Sequence, residues 1–540
     1  MQSLKSNKIL TMKRITLIYI FLSFFCYAIK AQISTEERPY SWDKGIDRMT
    51  MQSIPMVTLP FLDMEAIQKE DGNNEGSNVT VPFRFGFAHE VNLSLSNSGI
   101  WKTTSDGGRL WTLRLYSPDA LSLNLLYDKF WLPDGAKFFI YSEDMKQHIG
   151  AFTSQNNKGD KKNILGFATG LLFTNNIVLE YYEPAGVNDN GVISIVQVIS
   201  GYRHIYDIVG SENPSRHNNT AYSCHNDINC PEGSNWQKEK NAVAYMVMGG
   251  YICTGSLLNT TANDKRPVFL SADHCFNTSA STSQWVFYWN YEATTCGGSV
   301  ANPASNKSTT GANLLARTAN TDFMLLDLIE NPATNSNVTL YYLGWDRTSS
   351  SASSGVCIHH PNGAQKKISI TSNAINSYPN SITWVDGSGN VVSTTPANTH
   401  WLVSFTNGTT EGGSSGSPLF NQNKRVIGQL HGGGSGCPPV TKYYGRFDLS
   451  WTGGGTNSTR LSNWLDPNST GVTLLDGCGP VVDFISQSVT SNQTVENSCG
   501  DINVQNVTVT STAKLTLDAA GITTIVSDFD LALGSELEIK

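Results

Sequence analysis

The chain has 540 residues, enough for about three or four domains of ordinary size and too many for one compact core. Charged residues make up only 15%, and 47 glycines are spread along a sequence rich in Asn, Ser and Thr. This composition is typical of an extracellular β-rich protein and excludes a coiled coil or helical bundle. The net charge, 37 − 45 = −8, offers no basic surface for nucleic acid.

The first predicted element is a secretory signal peptide over residues 12–31. Residues 12–14 form a basic head, an apolar run follows from 15 to 29, and Ala31 stands at the exit. The apolar run is about 15 residues long, shorter than the roughly 20 that span a bilayer, and no later run is comparable. We therefore predict a secreted, extracellular protein without a membrane span.

Residues 33–218 are predicted to form a β-rich domain that contains no cysteine. Short alternating apolar runs, such as 110–116 and 121–126, are separated by Asp-Gly pairs, which indicate strands and hairpins. A polar stretch from 211 to 219, interrupted only by Pro214, then predicts a linker open to proteolysis.

A cysteine-rich block, residues 219–478, follows the linker. Seven cysteines lie between 224 and 437, and no Cys-x-x-Cys pair occurs anywhere. We therefore expect disulfides formed in an oxidising compartment rather than a structural zinc site, with at least one cysteine unpaired. With about 260 residues and short strands, the block suits a two-barrel β protein. The last unit, 480–540, alternates apolar residues and Thr and is predicted to be a small β module.

Three segments of the block carry reactive side chains. An apolar strand leads into His274, another begins after Asp322, and a glycine-rich turn contains Ser415. Each has an ordinary structural explanation: a hydrogen-bonded histidine, a turn aspartate and a β-turn. In the order His, Asp, Ser they match the triad in which aspartate orients imidazole and imidazole takes the serine proton.

The turn around the candidate nucleophile reads Gly-x-Ser-Gly-x-Pro from 413 to 418. Backbone N–H groups in such a turn can point at one spot, so those of Gly413 and Ser415 are expected to form an oxyanion hole. Ser414 and Ser417 are weaker candidates for the nucleophile. No Walker loop or His-Glu-x-x-His motif occurs, so neither a cofactor nor a metal is expected.

Longer matches make the similarity to one family specific. Over residues 219–478 the sequence resembles the bacterial lysyl endopeptidases, a branch of the chymotrypsin-like serine peptidases. The resemblance implies an all-β fold with a chymotrypsin-like double β-barrel, and a serine endopeptidase acting on protein or peptide substrates. The matching stretches are 223–233, 253–256, 259–264, 288–291, 413–418, 428–433, 444–446, 450–455 and 464–467.

The resemblance also implies roles for single residues. His274 would be the general base and acid, Asp322 would orient it, and Ser415 would form the acyl-enzyme. Trp384 and His431 correspond to a stacked pair beside the family's triad. His359 and His360 are assigned to the family's His-His-Pro surface loop rather than to a metal. The implied disulfides are Cys224 with Cys437, Cys230 with Cys296, and Cys253 with Cys275, which leaves Cys357, Cys478 and Cys499 unassigned.

The specificity pocket departs from the family. Lysine-specific members carry an aspartate two residues before Tyr-Gly-Arg, and this chain has Lys442 there. A buried cation facing a cationic side chain is unfavourable, so cleavage after lysine is not expected. In one hypothesis Lys442, aided by His431, selects acidic residues. In the other Lys442 turns to solvent and Asp448 retains basic selectivity, with Arg216 as the maturation site. The third alternative is a preference for small polar residues or a mixed preference. Gly432 and Gly433 are expected to line the same pocket.

The flanking units are expected to have different roles. Ser414 stands where animal trypsins have the aspartate that pairs with the new amino terminus, so that activation is not expected. The domain at 33–218 resembles lysyl endopeptidase pro-regions and is expected to inhibit the peptidase or assist its folding, with a retained binding domain as the alternative. The module at 480–540 is a candidate for surface contact. The competing function is that of a catalytically silent peptidase homologue acting in extracellular binding or adhesion.

Overall fold

The all-β prediction is confirmed, because the described residues are mainly strands, with eight short 3-10 helices and four short α-helices whose ends both lie in the described part. These helices are α1 (Tyr40–Asp43), α2 (Met64–Asn73), α3 (Phe447–Thr452) and α4 (Ser462–Leu465). None in the described part is long and apolar enough to cross a membrane. The computed structural model describes residues 37–44, 51–73, 80–187, 189–203, 223–276, 278–298, 303, 305–386, 388–434, 436–437, 441–479, 481–497 and 499–540.

Three sequence predictions fall outside these residues. They are the signal peptide at 12–31, the linker at 211–219, and Arg216 as a maturation site. They stay predictions.

The N-terminal region, residues 37–203, is built from two main sheets whose side chains share a hydrophobic core. Gly107 and Gly135 adopt positive φ angles of 82° and 84° in the Asp-Gly turns that mark strand ends. One sheet has the order β1-β5-β12-β7-β8 with β4 beside β5, and the other has the order β11-β6-β13-β3. The strands are β1 (Met56–Thr58), β2 (Phe83–Arg84), β3 (Gly86–Ser94), β4 (Ile100–Thr103), β5 (Arg109–Tyr116), β6 (Ser122–Trp131), β7 (Lys137–Ser142), β8 (His148–Phe152), β9 (Gly159–Asp160), β10 (Asn163–Ile164), β11 (Phe167–Ala168), β12 (Asn176–Glu183) and β13 (Val192–Gly201).

The central region, residues 223–479, contains two larger sheets. The first has the order β19-β18-β15-β16-β17-β21-β20, and the second has the order β14-β24-β23-β29-β30-β31-β28-β25. The strands are β14 (Asn226–Asp227), β15 (Val243–Met248), β16 (Tyr251–Leu257), β17 (Val268–Ala272), β18 (Val286–Tyr288), β19 (Ser308–Thr310), β20 (Ala312–Thr318), β21 (Phe323–Leu328), β22 (Trp345–Asp346), β23 (Gly355–His359), β24 (Lys367–Thr371), β25 (Asn376–Ser377), β26 (Ile382–Val385), β27 (Val391–Thr395), β28 (His400–Val403), β29 (Pro418–Asn421), β30 (Val426–Gly433), β31 (Lys442–Arg446) and β32 (Leu474–Leu475). The first sheet therefore supplies His274 and Asp322, and the second supplies Ser415.

Four disulfides connect the described cysteines. Three are the pairs that the resemblance implies: Cys224–Cys437, Cys230–Cys296 and Cys253–Cys275. The fourth joins Cys478 to Cys499 and links the central region to the C-terminal module. Cys357 is the free cysteine of the described part, and its burial raises the pKa of its thiol to about 11.

The C-terminal module, residues 481–540, is a stack of parallel strands around its own small core. Val481 pairs with Asp501 and Lys514 pairs with Glu536, so the chain returns to the same position after roughly 20 to 22 residues. This short structural repeat is hardly visible in the sequence. The strands are β33 (Val481–Val489), β34 (Gln493–Asn497), β35 (Asp501–Val509), β36 (Lys514–Ala519), β37 (Thr523–Ile525), β38 (Phe529–Leu531) and β39 (Glu536–Ile539).

The N-terminal region is tightly joined to the central region. Strand β2 adds to the first central sheet by pairing antiparallel with β16. The N–H group of Leu171 donates to the Tyr288 hydroxyl at 2.7 Å, and the Gln284 amide donates to the Tyr127 carbonyl at 3.0 Å. Side chains of both regions also share one hydrophobic core. The two regions therefore form a single packed unit.

Candidate active site

His274 and Asp322 are held together at the ends of two neighbouring strands. His274 lies in a single turn that follows β17, and Asp322 immediately precedes β21, which pairs with β17. The ring Nδ1 of His274 is 2.9 Å from Oδ2 of Asp322, and the backbone N–H of His274 donates to Oδ1 at 2.9 Å. One carboxylate therefore fixes both the position and the ring orientation of the histidine.

The backbone around Asp322 contributes to this geometry. Asp322 has a φ of 54°, in the left-handed region that aspartate tolerates better than most residues. Its carbonyl accepts a hydrogen bond from the N–H of Asp273 at 2.9 Å, which ties the two turns together. Burial raises the pKa of the Asp322 carboxyl, and the neighbouring His274 opposes this rise.

Ser415 differs from the two other serines of its loop. Ser414 is fully buried, and its hydroxyl lies 2.8 Å from Nδ1 of His359. Ser417 is also fully buried, and its hydroxyl lies 3.1 Å from the Cys357 sulfur. Ser415 is partly exposed, and its hydroxyl makes no hydrogen bond with any other described residue, His274 included. Of the three, only Ser415 has an available hydroxyl.

Two N–H groups in the loop of Ser415 have no backbone partner among the described residues. The N–H groups of Gly413 and Ser415 donate to no backbone acceptor in the described part of the chain. Gly413 has a φ of 83°, and a Cβ there would lie 3.0 Å from the His360 carbonyl oxygen, so only glycine fits. The Ser415 carbonyl accepts from the Thr254 N–H at 2.8 Å, which anchors the loop to β16.

Trp384, His431 and His400 form a row of aromatic rings beside His274. The indole of Trp384 stacks on the His431 ring with 3.6 Å between centroids, and His431 stacks on His274 at 5.6 Å. Nε2 of His400 is 2.9 Å from Nδ1 of His431. Burial lowers the pKa of His431 well below its usual value and that of His400 to about 3, so both rings are neutral.

Comparison with known proteins identifies a relative of this region. Residues 218–446 match the family model for the C-terminal domain of lysyl endopeptidase. A lysyl endopeptidase of Pseudomonas aeruginosa is 34% identical over 237 residues, which are 41% of this chain and 47% of that protein. The central region resembles the lysyl endopeptidases. The chain spans about half the length of this curated relative.

Two solved structures are also similar to the lysyl endopeptidase-like region. A Glu endopeptidase has 16% identity and a TM-score of 0.25, covering 38% of this chain and 85% of that one. The active form of the Rv3671c protease from M. tuberculosis has 13% identity and a TM-score of 0.27, covering 41% and 80%.

The predicted specificity pocket of the lysyl endopeptidase-like region holds a buried ammonium group. Lys442 is 2% exposed, and its Nζ donates to the Thr410 carbonyl at 2.7 Å and to the Gly434 carbonyl. Burial lowers the pKa of Lys442 to about 8, and the nearby charge of Glu411 opposes this decrease. The hypothesis that Lys442 turns to solvent is therefore wrong.

Asp448 has a different role from the one that the sequence suggested. It lies in the first turn of α3, and Arg446 binds both of its carboxylate oxygens, at 3.0 and 2.6 Å. A carboxylate neutralised in this way is not available to a basic substrate side chain. Gly432 and Gly433 lie on β30, where they pair with Tyr443 and Lys442 of β31.

The prediction that His359 and His360 form a surface loop is wrong. Both are completely buried behind the serine loop, where Nε2 of His359 lies 3.1 Å from the Ser369 hydroxyl and Nδ1 of His360 lies 3.0 Å from the Ala364 carbonyl oxygen. Burial lowers the pKa of His359 well below its usual value and that of His360 to about 3. Sequence reasoning also missed His400, which lies in no recognisable motif, and it gave no role to Thr254, although that residue lies in the matching stretch 253–256.

Two groups near the site have the side chains of metal ligands. Cys253, His274 and Cys275 form one, but the two cysteines form a disulfide and offer no thiolate. In the other, the donor atoms of His274, Asp322 and His431 lie within 4.8 Å of one another. Nδ1 of His274 already lies 2.9 Å from Oδ2 of Asp322, so these two side chains are hydrogen-bonded to each other.

A segment of the N-terminal region lies across the site. The Thr80 hydroxyl is 3.4 Å from Nε2 of His431. The backbone N–H of Thr80 donates to the Val385 carbonyl at 3.2 Å. Three residues later, Phe83 pairs with Ile252 of β16. A Cβ at Gly412 would lie 2.5 Å from the Phe83 ring, so the two residues are in close contact. The segment therefore passes from the His431 side of the triad to the loop of the candidate nucleophile.

Proposed function

We propose that the chain is a secreted serine endopeptidase that cleaves peptide bonds through an acyl-enzyme on Ser415. The observation that carries the proposal is the 2.9 Å contact between Nδ1 of His274 and Oδ2 of Asp322. It lies at the junction of the two central sheets, next to the loop whose available hydroxyl belongs to Ser415. The similarity to a lysyl endopeptidase over 237 residues supports the same reaction class.

Each group has one task in this mechanism. Nε2 of His274 removes the proton from the Ser415 hydroxyl as it attacks the substrate carbonyl, and later gives that proton to the leaving amine. Asp322 holds the ring and stabilises the imidazolium that forms. The N–H groups of Gly413 and Ser415 donate to the developing oxyanion. In the second half of the reaction, water attacks the acyl-enzyme and gives its proton to His274. The acyl group is released as the carboxylic acid, and Ser415 regains its proton from His274.

The proposed residue before the cleaved bond is acidic rather than lysine. Two of the three Nζ donors of Lys442 are bound by carbonyl groups among the described residues, and we assign the third to a substrate carboxylate. A substrate lysine would instead bring a second ammonium group to a site that has little solvent. This selectivity is assigned to Lys442 alone; the His431 ring stacks on Trp384, its Nδ1 faces His400, and its Nε2 faces Thr80.

The N-terminal region is proposed to inhibit the peptidase as its own pro-region. Thr80 contacts His431, and Phe83 covers Gly412, so the segment between them occupies space that a substrate needs. Antiparallel pairing of β2 with β16 gives the segment the backbone hydrogen bonds of a bound peptide. Cleavage in the linker at 211–219 would then allow the region to dissociate.

Export and the C-terminal role complete the proposal. Four disulfides among the described residues fit an oxidising compartment outside the cytoplasm. The module at 481–540 has its own core and offers exposed apolar side chains such as Leu533, which supports a role in surface contact.

Digestion of a peptide library by the processed protein tests the activity and the selectivity together. We expect cleavage after Glu and Asp, and none with Ser415→Ala. Because an acidic substrate needs the charged ammonium of Lys442, its kcat/KM should fall as the pH rises above about 8, the pKa to which burial lowers this group.

Two variants test the assignment of selectivity to Lys442. Lys442→Asp should move cleavage towards Lys and Arg, whereas Asp448→Asn should leave the selectivity unchanged because Arg446 already binds that carboxylate. Dominant cleavage after lysine by the wild-type protein would contradict the proposed pocket. No cleavage by a properly processed chain would favour the silent homologue.

A further inference from the structure

The loop of the proposed oxyanion hole, residues 411–415, is tied to a second segment by a residue that no sequence motif singles out. The backbone N–H of Asn362 donates to the Gly412 carbonyl at 2.6 Å. Its side-chain amide donates to Oε2 of Glu411 at 2.8 Å. Asn362 thus makes two hydrogen bonds to consecutive residues at the beginning of the loop.

The bond to the Gly412 carbonyl determines where the next N–H group points. In a trans peptide unit the carbonyl and the N–H point in opposite directions. The carbonyl of Gly412 and the N–H of Gly413 belong to the same unit, so a donor that holds the first fixes the second. The Gly413 carbonyl is held in turn by the Thr254 hydroxyl at 2.8 Å. A flip of the Gly412–Gly413 unit would break the Asn362 bond and turn the Gly413 N–H away.

The conformation of Asn362 explains why an asparagine suits this position. It has φ 49° and ψ 26° inside the turn Pro361–Gly363, and Asn adopts this left-handed region more readily than other non-glycine residues. A β-branched residue is strongly disfavoured there, and it would move the N–H group away from Gly412. Glycine would keep both the conformation and the N–H while removing only the amide.

We infer that Asn362 is a positioning residue, which directs the Gly413 N–H group into the oxyanion hole and holds it there. The inference rests on the proposed serine endopeptidase function. It assigns to Asn362 an effect on the rate of acylation rather than on substrate binding, because an oxyanion forms only after the serine has attacked.

The test is the hydrolysis of p-nitrophenyl acetate by the processed protein, since this ester does not depend on the specificity pocket. Rates are normalised to the number of reactive serines, titrated with a fluorophosphonate. Asn362→Val should lower kcat by about 100-fold or more, as loss of one oxyanion donor does, with KM within about 3-fold of wild type. Asn362→Gly should restore kcat to within about 5-fold of wild type, because it keeps the N–H in place.

A matched control separates this role from general strain. Asn506 in the C-terminal module has a φ of 51°, so Asn506→Val imposes the same backbone conflict far from the site and should leave kcat unchanged. If Asn362→Val does not fold, Asn362→Ala takes its place and should also lower kcat with KM unchanged. A wild-type kcat for the Val or Ala variant, or a Gly variant as slow as Val, would overturn the inference. If the wild-type protein itself fails to acylate Ser415, the proposed function is wrong instead.

Discussion

The two regions that flank the central region are attached to it in opposite ways. The N-terminal region shares a hydrophobic core with the central region, adds β2 to its sheet and places Thr80 against His431. The C-terminal module has a separate core, and a disulfide between Cys478 and Cys499 links it to the central region. One flank is packed against the candidate active site, and the other is an appended unit.

This difference indicates which flank controls activity. The segment that crosses the site is anchored by a buried charge cluster around Asp71, which is 4% exposed. Arg84 and Arg203 each approach its carboxylate to 2.8 Å, and the Tyr202 hydroxyl donates to it at 2.7 Å. No comparable link from the described C-terminal module reaches the triad. Changes in the first flank should therefore alter catalysis, and changes in the second should not.

The largest expected effect follows from removing the Asp71 carboxylate. Asp71→Ala leaves two partly buried arginines without their shared partner, which should lower the free energy of unfolding by roughly 3–5 kcal/mol. It should also release the segment at 80–84, so the uncleaved chain should hydrolyse p-nitrophenyl acetate at least about 10-fold faster than uncleaved wild type. Intact mass confirms that the chain is uncleaved.

The control for this prediction is Asp160→Ala. Asp160 is exposed in the same region and is bonded to its own turn. It should leave both the stability and the esterase rate close to wild type. An uncleaved Asp71→Ala chain that is as inactive as wild type would show that the cluster does not hold the inhibitory segment.

A smaller effect is expected at Lys158, a buried cation where the N-terminal region meets the central one. Its Nζ lies 4.0 Å from Oε1 of Glu330 and also donates to the Thr310 hydroxyl. Burial lowers its pKa from 10.5 to about 8. Between these pH values the unfolded chain binds more protons, so this residue should make stability rise with pH by up to about 3 kcal/mol.

Chemical unfolding at several pH values between 8 and 10.5 measures this contribution. In Lys158→Met the free energy of unfolding should rise with pH by up to about 3 kcal/mol less than it does in wild type. Lys129→Met, at an exposed position of the same region, should keep the full rise. Equal slopes for wild type and Lys158→Met would mean that the buried ammonium of Lys158 does not contribute to the pH dependence of stability.

The smallest effect on catalysis is expected for the disulfide that links the C-terminal module. It closes a loop with a sequence separation of 21, so Cys478→Ser with Cys499→Ser should cost about 3 kcal/mol of the module's own stability. The esterase rate of the processed protein should stay within about 2-fold of wild type. The same double change at Cys230 and Cys296 should instead lower the unfolding temperature of the peptidase itself. A large loss of esterase activity without the C-terminal disulfide would contradict the view of an appended module.

The triad candidates could be predicted because local sequence encodes them. An apolar strand ends next to His274, another begins after Asp322, and a glycine-rich turn surrounds Ser415. Three of the disulfides followed from the resemblance, and the sequence patterns alone left their pairing open. The Cys478–Cys499 bridge was missed, although two unassigned cysteines close together on either side of a predicted boundary were a usable signal.

The rest depends on contacts between residues that are distant in sequence. Whether Lys442 turns inwards is decided by the carbonyl groups of Thr410 and Gly434, and no local pattern reveals backbone acceptors. Asn362 is 49 positions from Glu411 in sequence. Its inferred role depends on a left-handed φ angle and on its backbone N–H group, and neither can be read from a sequence pattern. The sequence predicts a surface position for His359 and His360, because polar side chains are usually exposed. In the structure, tertiary packing buries both of them.

Mass-spectrometric mapping of a fluorophosphonate adduct tests the central claim most directly. The account predicts a single adduct on Ser415 of the processed protein, at least about 10-fold slower labelling of the uncleaved wild-type chain, and no adduct in Ser415→Ala. An adduct on Ser414, Ser417 or another serine, or no adduct on a folded and processed chain, would contradict it.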